Sequence, residues 1–179
     1  PSLLPALRGP EPLFWTLHAG LRVSGVTAHQ LTARLDAGPI YGQAPVRVPF
    51  GERMEAIDRH FAKAAGHLAE EVIAASEQGR NAPRPHVEIG ASAAPFPTAR
   101  DFVMDASTWT AERAFAFARA VAPLDGPLAV TLPDRRMLPV LDAEAWSTEE
   151  PDFSQEASTC DRIWVRFVTG YVCFRTHKL

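Results

Sequence analysis

Cysteine is nearly absent: Cys160 and Cys173 are the only two in 179 residues, too few for a disulfide framework or a zinc cluster. Both stand in apolar stretches near the C-terminus, which reads as reduced core thiols, with a cross-strand bridge as the alternative. No run reaches the roughly 18 apolar residues that a membrane-spanning helix needs, and the N-terminus lacks the charged-then-apolar order of a secretory signal. A cytoplasmic enzyme or enzyme fragment is therefore the expectation. There is no Lys/Arg run to neutralise a row of phosphates, and the formal charge is −3, so nucleic acid is not an obvious partner. Ser-x-x-Lys, Gly-x-Ser-x-Gly, Walker and His-Glu-x-x-His patterns are all missing, and with them any independent pointer to those reactions. What remains is 46% apolar and 22% charged residues, the make-up of a folded chain with one good core or two modest ones.

Periodicity divides the chain. Glu11 to His18 reads as a short helix with Leu13, Phe14 and Leu17 on its apolar face; Pro10 and Pro12 are tolerated in the first turn. Val23–Leu31 and Tyr41–Val48 read as strands, separated by the turn-forming Leu35-Asp36-Ala37-Gly38-Pro39. A long helix follows from about Glu52 to Glu77, with Met54, Ile57, Phe61, Ala64, Ala65, Leu68, Val72 and Ala75 on one stripe and Gly79 as its stop. Arg80 to Pro97 has linker composition, rich in proline. Beyond it come an amphipathic helix near Thr110–Val121, for which Ser107 or Thr108 is a possible cap, and short β-like runs at 128–132, 137–141, 163–168 and 171–174. These elements imply an α/β fold, with residues 1–80 as one domain, 81–100 as linker and 101–179 as a second domain built as a small barrel or twisted sheet.

Taken singly, the polar residues are uninformative. Asp36 in a Gly/Pro turn more often hydrogen-bonds its own backbone than reacts. His29 alone is a strand histidine, and Ser2 a loop hydroxyl without a base. His60 and His67 share a helix face but lack companion ligands for a metal. Trp109, Trp146 and Trp164 read as packing residues, and Arg135-Arg136 as a solvated turn.

In combination they say more. Ser2-Leu3-Leu4-Pro5, Arg8-Gly9-Pro10, a helix with Trp15, Gly25-Val26-Thr27-Ala28-His29 and Leu35-Asp36-Ala37-Gly38-Pro39-Ile40 resemble, in order and spacing, the second half of the catalytic domain of 10-formyltetrahydrofolate-dependent formyltransferases. This family includes methionyl-tRNA, glycinamide ribonucleotide and nucleotide-sugar N-formyltransferases. The likeness covers residues 1 to about 80. More weakly, Asp105 through Pro123, with Arg119-Ala120, is similar to the start of the family's OB-like C-terminal domain. The resemblance therefore implies a partial Rossmann-like formyltransferase domain followed by a small OB-like barrel.

It also implies formyl transfer from 10-formyltetrahydrofolate, as co-substrate, to an amine. In the family an Asn and a His stabilise the oxyanion while an Asp fixes and charges the His. Asp36 matches that Asp, and His29 matches a histidine that approaches the same proton network in some members. Ser2, Leu3, Leu4, Arg8 and Gly9 match the folate-side wall; Asp36, Ala37 and Gly38 match a loop beside the pterin. No metal is implied.

The family's Asn-x-His would immediately precede Pro1. Loss of an oxyanion donor costs about a hundred- to a thousandfold, and loss of a general acid or base about a hundred- to ten-thousandfold, so these 179 residues by themselves are expected to be inactive. Thr32 stands where many relatives have an acidic residue. From Pro83 onward ten Lys/Arg face thirteen Asp/Glu, which suits a small-molecule amine acceptor, an amino sugar or amino-acid derivative, better than tRNA. Methionyl-tRNA formyl transfer is the runner-up, with formyltetrahydrofolate hydrolysis and a non-catalytic interaction module as further alternatives. An unpaired sheet edge makes a homo-oligomer or a partner a further expectation.

Overall fold

The structure, a computed structural model, describes residues 1–85, 88–124, 127–151 and 161–177. Cys160 lies outside them. Residues Pro1–Phe50 with Glu55–Phe96 form one compact unit, and Gly51–Met54 with Pro97–Leu179 a second.

In the first unit proline sets where the opening helix starts. Helix α1 (Pro12–His18) carries proline in its first turn, where a missing N–H costs nothing, and buries Leu13, Phe14, Thr16 and Leu17. Strands β1 (Val23–His29) and β2 (Ile40–Arg47) pair antiparallel from Val23↔Arg47 to Ala28↔Gly42; the register then slips, so that His29 faces Ile40. This bulge re-aims the last residue of β1. Helix α2 (Met54–Glu77) buries Met54, Ile57, Phe61 and Leu68 along its expected stripe and leaves Ala65 exposed. It closes with a Schellman pair: Arg80 N–H donates to Ala75 O (2.9 Å) and Gly79 N–H to Ser76 O (3.0 Å), with Gly79 at φ +61°.

The stretch expected as a linker is divided between the two units at Phe96/Pro97. Its first part lies along the first unit. Arg84 exchanges both backbone hydrogen bonds with Ile40 (2.8 and 2.9 Å), Ala94 is fully buried, and the Trp15 indole donates to Pro95 O (2.8 Å). Proline-rich composition excludes helix and central strand, but it does not exclude edge pairing of the remaining N–H groups.

The second unit holds two three-stranded sheets. In one, β3 (Val103–Asp105) runs parallel to β4 (Ala129–Thr131), which pairs antiparallel with β5 (Met137–Pro139). In the other, β6 (Asp142–Ser147), β8 (Gly170–Arg175) and β7 (Arg162–Phe167) pair antiparallel in the order β6-β8-β7. Among the described residues no ladder joins the two sheets into the expected small OB-like barrel, and the architecture they show is α/β. Helix α3 (Ala111–Val121) is capped by Thr110, whose Oγ1 accepts from Arg113 N–H (3.2 Å), rather than by Ser107 or Thr108. It buries Phe117, whereas Phe115 stays half-exposed. Phe117, Val121, Val172 and Phe174 are at most 1% exposed and form the heart of this core. Trp109 and Cys173 are buried with them. At the β4–β5 turn the Arg136 backbone N–H, helped by its guanidinium, holds the Asp134 carboxyl below its usual range.

One buried carboxylate organises this unit. Asp142, 9% exposed at its side chain, receives a two-pronged Arg53 guanidinium (2.9 and 2.5 Å) and lies 3.9 Å from Arg175 Nη2. Arg53 Nη1 also donates to Arg119 O (3.0 Å), and Arg119 Nε to Gly51 O (2.9 Å).

Candidate functional site

The local chain geometry around Asp36 is unusual for non-glycine residues. Leu7 (φ +54°) and Asp36 (φ +50°) both occupy the left-handed region, and such residues cost about 1–3 kcal/mol unless the surroundings hold them. Here they are held. Gly9 N–H donates to Asp36 Oδ2 (2.8 Å), tying the Arg8-Gly9-Pro10 turn to the β1–β2 loop. Gly9 itself has φ +129°, and a Cβ there would fall 2.5 Å from Ala94 O. The neck of the β1–β2 loop is closed by Gln30 N–H donating to Pro39 O (2.9 Å). A Cβ on Gly38 would stand 1.9 Å from Gln30 O and 2.9 Å from Gln30 C, so only glycine fits the neck.

The other carboxylate oxygen faces His29. Asp36 Oδ1 lies 3.6 Å from His29 Nε2, with the side chains 24% and 18% exposed. His29 Nδ1 sits 3.0 Å from Gln30 O, and a ring nitrogen facing a carbonyl carries its proton and donates. The imidazole is thus fixed at one nitrogen by the backbone and turned by the bulge so that the other faces the carboxylate. The separation is longer than a hydrogen bond.

The Ser2–Pro5 segment is pinned beside this pair by one hydroxyl. Thr27 Oγ1 donates to Ser2 O (2.7 Å) and accepts from Leu4 N–H (3.2 Å) and Gln43 Nε2 (3.1 Å), while Gln43 Nε2 also donates to Leu4 O (2.8 Å). A cavity of about 470 Å³ opens here. Its lining includes Ser2, Leu4, Gly9, Thr27, His29 and Asp36, with Asp58 and Phe61 from α2.

Five of the residues singled out from sequence, Ser2, Leu4, Gly9, His29 and Asp36, therefore meet in one cavity. The other four stand outside its lining. Leu3 packs over Gly25, Arg8 makes a forked pair with Glu88 (2.9 and 3.2 Å), and Ala37 and Gly38 form the loop neck. Sequence reasoning did not single out Thr27, Gln43 or Asp58. Thr27 stood inside a quoted motif and Gln43 lies across the hairpin from it, but neither carries a signal that separates a pinning residue from an ordinary strand residue. Among the described residues no three His, Cys, Asp or Glu side chains cluster as a metal site, and no helix is long and apolar enough to cross a membrane.

Asp36 on the β1–β2 loop and His29 at the end of β1 thus bring a carboxylate and an imidazole together at one cavity. Residues 1–73 match the family model described as Formyl transferase, and this part of the chain belongs to the formyltransferase family. It is 34% identical over 139 residues to methionyl-tRNA formyltransferase of Parafrankia sp. (strain EAN1pec), a match covering 76% of this chain and 43% of the relative. In fold it is similar to the N-formyltransferase from Helicobacter canadensis, solved with folinic acid and dTDP-3-aminofucose (TM-score 0.72, 13% identity, 98% of this chain and 63% of that one). It is also similar to HypX from Aquifex aeolicus (TM-score 0.67, 16% identity, 97% and 31%). The chain spans about two fifths of the length of the curated relatives it matches, 43% and 40% for the first two.

The closed neck supplies a direct test. Gly38→Ala must spread the Gln30–Pro39 closure and is expected to destabilise the chain by about 1–3 kcal/mol. A urea midpoint equal to that of the unsubstituted chain would contradict the close approach.

Proposed function

We propose that the complete protein transfers the formyl group of 10-formyltetrahydrofolate to the amine of a small molecule, with Asp36 and His29 in its proton path. The observation that carries this reading is the Asp36 carboxylate, anchored through Oδ2 to the Gly9 amide and aimed through Oδ1 at an imidazole. The chemistry needs such a pair. As the amine nitrogen attacks the formyl carbon, the nitrogen becomes acidic and the formyl oxygen gains charge; when the carbon–N10 bond breaks, the departing nitrogen needs a proton. An anchored carboxylate facing an imidazole can take the first proton and deliver the second. The cavity's mixture of Leu4 and Phe61 with Ser2, Thr27 and Asp36 suits a flat heteroaromatic ring bearing donors and acceptors. Leu3, Arg8, Ala37 and Gly38 act here from behind the wall, by shaping the loops. The OB-like reading of the second unit, a cytoplasmic location and self-association belong to the same proposal.

The acceptor reading rests on the acidic balance beyond Pro83, which favours a small amine such as an amino sugar. A tRNA acceptor is the second reading. It is favoured by the named activity of the Parafrankia relative and by the length of that match, which exceeds the 73 residues of the family model.

The deciding experiment incubates the full-length protein with 10-formyltetrahydrofolate and, separately, an amino-sugar nucleotide panel, methionyl-tRNA or no acceptor. Formylated small amine is the expected product. Formylated tRNA with salt-sensitive binding would move the second reading to first, and formate released without acceptor would mark a hydrolase. The 179-residue polypeptide contains no Asn-x-His and is expected to give none of these products by itself.

A further inference from the structure

We propose that Ser92 is a positioning residue of this site: it fixes the backbone turn whose Gly9 amide holds Asp36. The inference rests on where the backbone donors of the Leu7–Glu11 turn go. Leu7 N–H donates to Ser92 Oγ (2.9 Å), Arg8 N–H to Ser92 O (2.8 Å), Gly9 N–H to Asp36 Oδ2 (2.8 Å) and Glu11 N–H to Ala94 O (3.1 Å); Pro10 has none. Every donor in the turn is taken, and two of the three that point away from Asp36 end on one serine. The return bonds tighten the clasp, since Ser92 N–H donates to Pro5 O (3.3 Å) and Ala94 N–H to Arg8 O (2.6 Å).

Leu7 is the reason the serine matters. It stands at φ +54°, a conformation that a leucine leaves unless its neighbours hold it. The Ser92 hydroxyl is the acceptor that meets its amide there. With that bond gone, Leu7 relaxes toward negative φ, and the peptide planes after it turn with it, Gly9 included. The charged neighbours do little of this work. Glu88 grips the Arg8 guanidinium rather than the backbone of the turn, and its side chain is 58% exposed. Ser92 is itself exposed, and threonine carries the same hydroxyl.

The functional half of this inference rests on the formyl-transfer reading, and the test separates the two. In the full-length protein, Ser92→Ala is expected to lower kcat about 3- to 10-fold, the effect of one neutral hydrogen bond, with KM for the amine unchanged and with Ser92→Thr restoring kcat. Independently of turnover, the Gly9 amide resonance of Ser92→Ala is expected to move in the same direction as that of Asp36→Ala, while Ser92→Thr overlays the unsubstituted protein. A Gly9 resonance unmoved in Ser92→Ala overturns the positioning role whatever the activity. So does a kcat loss that threonine fails to restore. If the unsubstituted protein transfers no formyl group to any acceptor, the formyl-transfer reading fails instead, and the Gly9 resonance alone decides the structural claim.

Discussion

Asp36→Asn in the complete protein is expected to lower the single-turnover rate of formyl transfer by about a hundred- to ten-thousandfold, the range for loss of a positioned acid or base. Asparagine is nearly isosteric, and its amide oxygen can still accept from Gly9 N–H, so the β1–β2 loop should keep its shape. What disappears is the charge facing His29 Nε2 at 3.6 Å. The measurement pairs rapid-quench turnover with a denaturation curve. A large rate loss at unchanged stability assigns the effect to chemistry. A rate within threefold of the unsubstituted enzyme would remove Asp36 from the proton path.

The largest effect on stability is expected at Asp142. Replacing it with alanine leaves the Arg53 guanidinium without its carboxylate and removes the acceptor of Ala143 N–H (2.8 Å). Breaking a fully buried pair costs about 3–5 kcal/mol. Arg53 is 36% exposed, so water recovers part of that and a loss of about 2–3 kcal/mol is expected. Urea denaturation of the second unit reads it. Replacing Arg53 and Asp142 together with apolar residues should cost less than Asp142→Ala alone, because no buried charge is then stranded. Equal losses would show that the pairing contributes nothing.

Much of the first unit was legible in the sequence. The stripe from Met54 to Leu68 specifies a helix and its buried face, because a period near 3.6 has only one structural meaning over that length. Val46 and Val48 around Arg47 mark a strand for the same kind of reason. Strand β6 was missed because Asp142, Ala143, Glu144 and Ala145 lack strand propensity; pairing with β8 and packing against α3 override it. The site divides along similar lines. The segments Ser2-Leu3-Leu4-Pro5, His29 and Asp36-Ala37-Gly38 resemble the family in order and spacing, whereas which of them share a cavity, Ser2, Leu4, His29 and Asp36, is visible only in three dimensions.

The sequence by itself determined the family resemblance of its first part, the helices and the loop that bears Asp36. Only the tertiary structure decided that Gly9 supplies the amide holding this carboxylate, that Thr27 pins the Ser2–Pro5 wall, and that Ser92, from a stretch resembling a linker, completes the turn. The physical reason is the same in each case. These contacts join positions 25 to 85 residues apart, each pairing a side-chain oxygen with a backbone N–H or C=O, groups that nearly every residue type carries and that leave no mark on composition or periodicity.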